Sequence, residues 1–175
     1  MKEAGYIPWS PAHLMDARIA VSSSLHPLWN ITFINTDFGI SGTSQGIYLT
    51  PHSSRLQQIT SGSDMTMTDD ILNKAKVYGR GNLILGRSLT EEEAREHPLW
   101  LDLADGDQLR LDRYVEKCFR FGKDNFGYDA MMGFLVPLDL VPTERMVVLG
   151  NFMLKGHAYG YRFENAFLIG TKCNE

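Results

Sequence analysis

The chain has little with which to staple or charge a fold. Two cysteines in 175 residues, Cys118 and Cys173, form no CxxC pair. The five histidines, His13, His26, His52, His97 and His157, include no pair four residues apart on a helix, so the spacing of a metal site is absent and none is expected. Basic residues are outnumbered, 17 against 21 acidic ones, for a net charge of −4. A duplex-binding domain draws its affinity from a basic excess, so a nucleic-acid partner is not expected. No stretch approaches the roughly 18 uninterrupted apolar residues of a membrane span. The first residues carry Pro8 and Pro11 among polar side chains where a secretion signal needs an apolar run. The expectation is a protein that keeps away from the membrane and stays in the cytoplasm, with both thiols reduced.

What is present is ordinary globular composition. Apolar residues make up 43% and charged residues 22%, which argues against disorder for the bulk of the chain. The length suits one hydrophobic core, and residues 1–175 read as a single globular domain.

Start and stop signals divide the first two thirds into short helices. Ser10-Pro11 opens the first, serine capping free amides and proline filling a position whose N–H would be orphaned anyway. Ser22-Ser23-Ser24 closes it. Thr68-Asp69-Asp70 opens a helix over about 69–78, with Gly79 as its stop. Thr90 with Glu93 is a capping box, and that helix halts at His97-Pro98. The clearest helix spans about 107–121 behind an Asp105 or Asp107 cap. Leu111, Tyr114, Val115, Cys118 and Phe119 form its apolar stripe, and Gly122 reads as its end. Residues 31–34, 47–49 and 82–85 read as short strands, 35–46 as a loop rich in Gly, Ser, Thr and Asn, and 50–67 as an irregular polar excursion.

After residue 130 the pattern changes to short apolar runs at 131–136, 145–149, 152–154, 158–163 and 166–169, punctuated by Gly, Pro and Asn. This predicts an antiparallel meander. The fold class is therefore α+β: several short helices packed on a mainly antiparallel sheet that the C-terminal meander completes. His-Pro-Leu-Trp occurs twice, at 26–29 and 97–100, with unlike flanks. It reads as a reused turn in which proline sets the chain direction and Trp29 or Trp100 anchors the core.

The motifs that could carry chemistry fall short on mechanism. Gly42-Thr43-Ser44-Gln45-Gly46 matches G-x-S-x-G, but the following residues are not a helix start, as a nucleophile elbow requires. Ser44, with His52 as a base, remains the basis of one alternative, a small serine-type hydrolase using the 39–52 loop. The segment 81–88 resembles a phosphate loop with Arg87 in place of lysine, but its middle residues are strand-like, so no nucleotide is expected. Asp105-Gly106-Asp107 fails as a calcium loop because Leu101 and Leu103 would occupy ligand positions. No cofactor is implied. A small-ligand sensor, with a pocket between helices and sheet, is a further alternative.

The preferred reading is a non-enzymatic accessory or inhibitory protein that binds a macromolecule, a protein above all, of the kind a phage or mobile element encodes. Aromatic, Met and Arg content suits an interface. The corner after the long helix, with Arg120, Lys123, Asn125 and Tyr128, is the expected contact, because Gly122 and Gly127 bracket it and loop corners display binding residues on a rigid scaffold.

Overall fold

The computed structural model of the chain describes residues 6–23, 25–30, 33–53, 56, 65–79, 88–127, 131–132, 134–135, 138–149, 158–161 and 170–172. The expected strands at 82–85, 152–154 and 166–169 lie outside these residues, as do Tyr128, His157 and Cys173.

Helix α1 (Pro11–Ala20) begins at Ser10, whose side chain accepts from the His13 amide while His13 Nδ1 accepts from the Ser10 amide at 3.2 Å. The two His-Pro-Leu-Trp segments form short helices, α2 (Pro27–Asn30) and α5 (Pro98–Leu103). Helix α4 (Glu91–Arg95) carries the Thr90–Glu93 capping box, as its sequence predicts. Helix α3 (Asp69–Leu72) is a single turn rather than the ten residues expected, because the chain from Lys76 is taken up as strand β5 (Lys76–Gly79). Pairing with a neighbouring strand outweighs local helix preference there.

The long helix α6 (Gln108–Phe126) is capped by Asp107, whose carboxylate accepts from the Arg110 amide at 3.0 Å. It runs through Gly122 instead of ending there. A helical glycine costs only about 1 kcal/mol relative to alanine, and Gly122 is buried. The stop is Gly127, at φ +67°, whose amide donates to the Lys123 carbonyl.

The central sheet is built on β2 (Phe33–Thr43), β3 (Gly46–Pro51), β10 (Thr143–Leu149) and β11 (Ala158–Tyr161). With β5 these give the order β5-β3-β2-β10-β11, every neighbour antiparallel. Strand β8 (Phe134–Leu135) then adds to β11 in parallel, so the C-terminal part is more than a meander. Strands β4 (Met65–Thr66) and β9 (Leu138–Asp139) pair with β10 and β2. Away from this sheet, β1 (Tyr6–Pro8) pairs with β12 (Gly170–Lys172), and β6 (Ser88–Leu89) with β7 (Met131–Met132).

Residues 35–43, expected as loop, are the middle of the sheet. Strand β2 is hydrogen-bonded on both sides, and its small residues sit where neighbours crowd in. The β2–β10 register slips between Met146 and Val147, a bulge that bends the pair. Beneath the sheet, Ile40, Ile47, Leu49 and Val147 meet Leu99, Trp100, Leu111, Tyr114 and Val115 from the helices in one buried cluster.

Candidate functional site

A cleft of about 420 Å³ opens between the β2–β3–β5 side of the sheet and the turn after α5. It is lined by Phe38 and Leu49, both buried, and by Pro51, His52, Lys76, Asp102 and Asp105. The Phe38 and His52 rings are 6.1 Å apart. Asp102, on α5, is held from two directions: Oδ1 accepts from Lys76 Nζ at 2.5 Å, and Oδ2 accepts from the Tyr78 hydroxyl. Lys76 and Tyr78 point to Asp102 from alternate positions of β5, and the Lys76 ammonium stands 5.8 Å from the Tyr78 ring.

Two non-glycine residues among those described have positive φ, His52 at 53° and Asp105 at 57°, and both line this cleft. The left-handed region is uncommon for such residues, and it concentrates at turns and functional sites. Asp105 and Gly106 make the chain reversal that lets α5 end and Asp107 begin α6. The exposed Asp105 carboxylate faces the same side as Arg110, whose guanidinium pKa is raised chiefly by its hydrogen bond to Asp16 and, more weakly, by Asp107 and Asp105.

The structure does not bring Ser44 and His52 together. Ser44 sits in the exposed two-residue turn between β2 and β3, while His52 follows the far end of β3. An extended strand advances about 3.3 Å per residue, which puts them roughly 20 Å apart. The 39–52 segment is thus a β-hairpin rather than a loop, and the glycines of the G-x-S-x-G match lie in strands: Gly42 pairs with Ile47 and Gly46 with Thr43.

Arg120, Lys123 and Asn125 are exposed on the last two turns of α6, not on a turn beyond it. The Arg120 guanidinium lies 5.4 Å from the Phe121 ring, and Asn125 Nδ2 donates back to the Phe121 carbonyl at 2.8 Å. Lys117 faces the same side. Its pKa is lowered by burial first and by the Arg120 charge second.

Sequence reasoning missed the Lys76–Asp102–Asp105 grouping. One signal is available: Asp105-Gly106-Asp107, which fails as a calcium loop and reads as a cap, is also a tight turn able to hold a carboxylate outward. Among the described residues no group of three or more His, Cys, Asp or Glu side chains could hold a metal ion. Among them, too, no helix is long and apolar enough to cross a membrane.

No family model matches the chain, and no curated protein does. A solved structure described as "Accommodation of massive sequence variation in Nanoarchaeota by the C-type lectin fold" is similar over 98% of this chain and 87% of that one, with a TM-score of 0.64 and 18% identity. The likeness is one of fold. The chain shares the C-type lectin fold, in which helices pack with an antiparallel sheet, and the α+β class read from its sequence is that of the structure.

Proposed function

We propose that the chain is a non-enzymatic binding module whose partner is a protein. The observation that carries this reading is the C-type lectin fold, a binding fold, shared over nearly the whole chain. In the similar structure that fold accommodates massive sequence variation. A scaffold of that kind keeps its core while its surface side chains differ, which is what recognition asks of a framework. The accessory or inhibitory role, and an origin in a phage or mobile element, belong to this proposal.

The proposed contact is the end of α6, with Arg120, Lys123 and Asn125, continuing to Tyr128. Arg and Tyr are residue types that dominate interface energies. The exposed cations of this segment suit an acidic face on the partner.

The experiment is an affinity pull-down from the native host, read by mass spectrometry, with the wild type and an Arg120→Ala, Tyr128→Ala double variant as baits. The expected result is a protein retained by the wild type and lost by the variant, whose thermal midpoint is unchanged. A variant that stays folded and still captures the same protein moves the contact elsewhere. A wild type that enriches no protein removes the reading.

A further inference from the structure

We propose that the cleft beside α5 binds a small organic cation, an amidine, guanidine or amine carried on a flat apolar body. The inference stands on the cleft itself and is independent of a protein partner at the end of α6. At about 420 Å³ the space falls in the range that small ligands occupy. Its chemistry is divided in a way that fixes an orientation. Phe38, Leu49 and Pro51 supply the apolar part of its lining, and Asp102 and Asp105 supply two carboxylates. Against these two negative charges the lining supplies one lysine, Lys76. Beyond the lining, Arg110 also feels the Asp105 charge, but it is shared with Asp16 and Asp107, so the mouth stays net negative and favours a cation over an anion or a neutral ligand.

The Asp102 carboxylate is placed before any ligand arrives. The Tyr78 hydroxyl fixes Asp102 through Oδ2, leaving Oδ1 turned to Lys76. The Lys76 side chain is 59% exposed, so it holds Oδ1 by the kind of surface ion pair that is easily exchanged. A ligand amidinium can take the place of Lys76 Nζ without breaking the Tyr78 contact. His52 and Asp105, the two left-handed non-glycine residues among those described, both line the cleft.

The test is a ¹H–¹⁵N NMR titration of the full chain with benzamidine, alongside benzyl alcohol and benzoate as neutral and anionic compounds of the same size. The expected result is saturable shifts from benzamidine, centred on the amides of His52, Lys76, Asp102 and Asp105, with benzyl alcohol and benzoate far weaker. Asp105→Asn should weaken benzamidine about tenfold, the loss of one charge-assisted contact, since asparagine accepts the same left-handed backbone. Lys76→Met, which removes the competitor for Oδ1, should bind benzamidine at least as tightly as the wild type. The proposal is overturned if benzoate or benzyl alcohol binds as well as benzamidine, if the shifts centre elsewhere, or if a folded Asp105→Asn binds unchanged. Weaker binding by Lys76→Met overturns it as well.

Discussion

The indole of Trp29 lies flat against the phenol of Tyr114, with ring centroids 5.8 Å apart and planes 11° apart. Trp100 meets the same phenol at 6.1 Å and 42°. The two His-Pro-Leu-Trp segments, 71 residues apart, thus deliver their tryptophans to one residue in the middle of α6. Phe121, two turns on, closes the edge of Trp29 at 5.5 Å. Trp100 is fully buried, and removing so large a side chain leaves a cavity as well as losing its transfer energy. Trp100→Ala should therefore cost about 3–5 kcal/mol, read as a lower urea midpoint. A midpoint unchanged by the substitution would show that Trp100 is no anchor.

A charge sits inside this cluster. Arg18 is 1% exposed, and its guanidinium stands 5.2 Å from the Trp29 ring. Nη1 donates to the Tyr114 hydroxyl at 2.8 Å, and Nε donates to the Leu28 carbonyl at 2.7 Å, so one side chain ties α1 to α2 and α6. Burial pushes the Tyr114 pKa up, and the Arg18 charge opposes that rise. Arg18→Met should destabilise by roughly 2–4 kcal/mol, because it takes the donor from the buried Tyr114 hydroxyl and from the half-buried Leu28 carbonyl. A double-mutant cycle with Tyr114→Phe should return a coupling of about 1–3 kcal/mol. Additive effects would mean that the hydrogen bond contributes nothing.

These two relationships separate what the sequence disclosed from what it withheld. Ser10, Thr90 and Asp107 were readable as helix caps because a cap is decided by residues three apart. The α6 stripe was readable because its period is local, and so was the burial of both tryptophans. The sequence places the end of α6 five residues early, since Gly122 and Gly127 look alike there and only the fold buries the first within the helix and gives the second its left-handed φ. Strand β2 reads as a loop in sequence because Gly39, Ser41 and Gly42 are poor strand formers alone. Their reason lies across the sheet, in Glu144 and in the Thr143 amide that donates to Ser41 Oγ at 2.8 Å. The cleft was invisible for the same reason: His52, Lys76 and Asp102 belong to three elements that only tertiary packing assembles.

His97 gives the fold a pH dependence of known sign. It precedes Pro98 at the start of α5 and is 6% exposed, and burial lowers its pKa from 6.5 to about 4. Between those values the unfolded chain binds a proton that the folded chain refuses. Stability contributed by neutral His97 is therefore complete above pH 6.5 and is lost as pH falls toward 4, by up to about 3 kcal/mol in total. Chemical unfolding of the wild type and of His97→Asn should diverge in slope across that window and run parallel above it, with the carboxylate background common to both. Curves that stay parallel from pH 4 to 7 would refute the assignment.

Cys118 should be inert in the native protein. It is buried on the α6 stripe, and burial, the largest influence, pushes its thiol pKa up to about 12 despite the nearby Arg18. The thiolate is the reactive form, so a thiol reagent at neutral pH should leave Cys118 untouched until the chain unfolds. Peptide mapping after brief labelling locates the modified residue. Rapid modification of Cys118 without denaturant would contradict the packing.

Gly39 tests the close approach at the centre of the sheet. It faces Met146 of β10, and the neighbouring Glu144 side chain, 1% exposed, fills the space above it. A Cβ at position 39 would stand 2.7 Å from Glu144 Cγ and 2.8 Å from Cδ, closer than packed carbons tolerate. Gly39→Ala should cost about 1–3 kcal/mol, as an overpacked core does. Gly79, at the end of β5, supplies the comparison: a Cβ there meets nothing within 4 Å, so Gly79→Ala should leave the thermal midpoint nearly unchanged. Shortening the obstructing side chain distinguishes crowding from any general intolerance of strand β2. In a Glu144→Ala background the penalty of Gly39→Ala should shrink markedly, because the methyl group then enters the volume the carboxylate left. If Gly39→Ala costs the same in both backgrounds, or no more than Gly79→Ala, the contact with Glu144 is not what reserves this position for glycine.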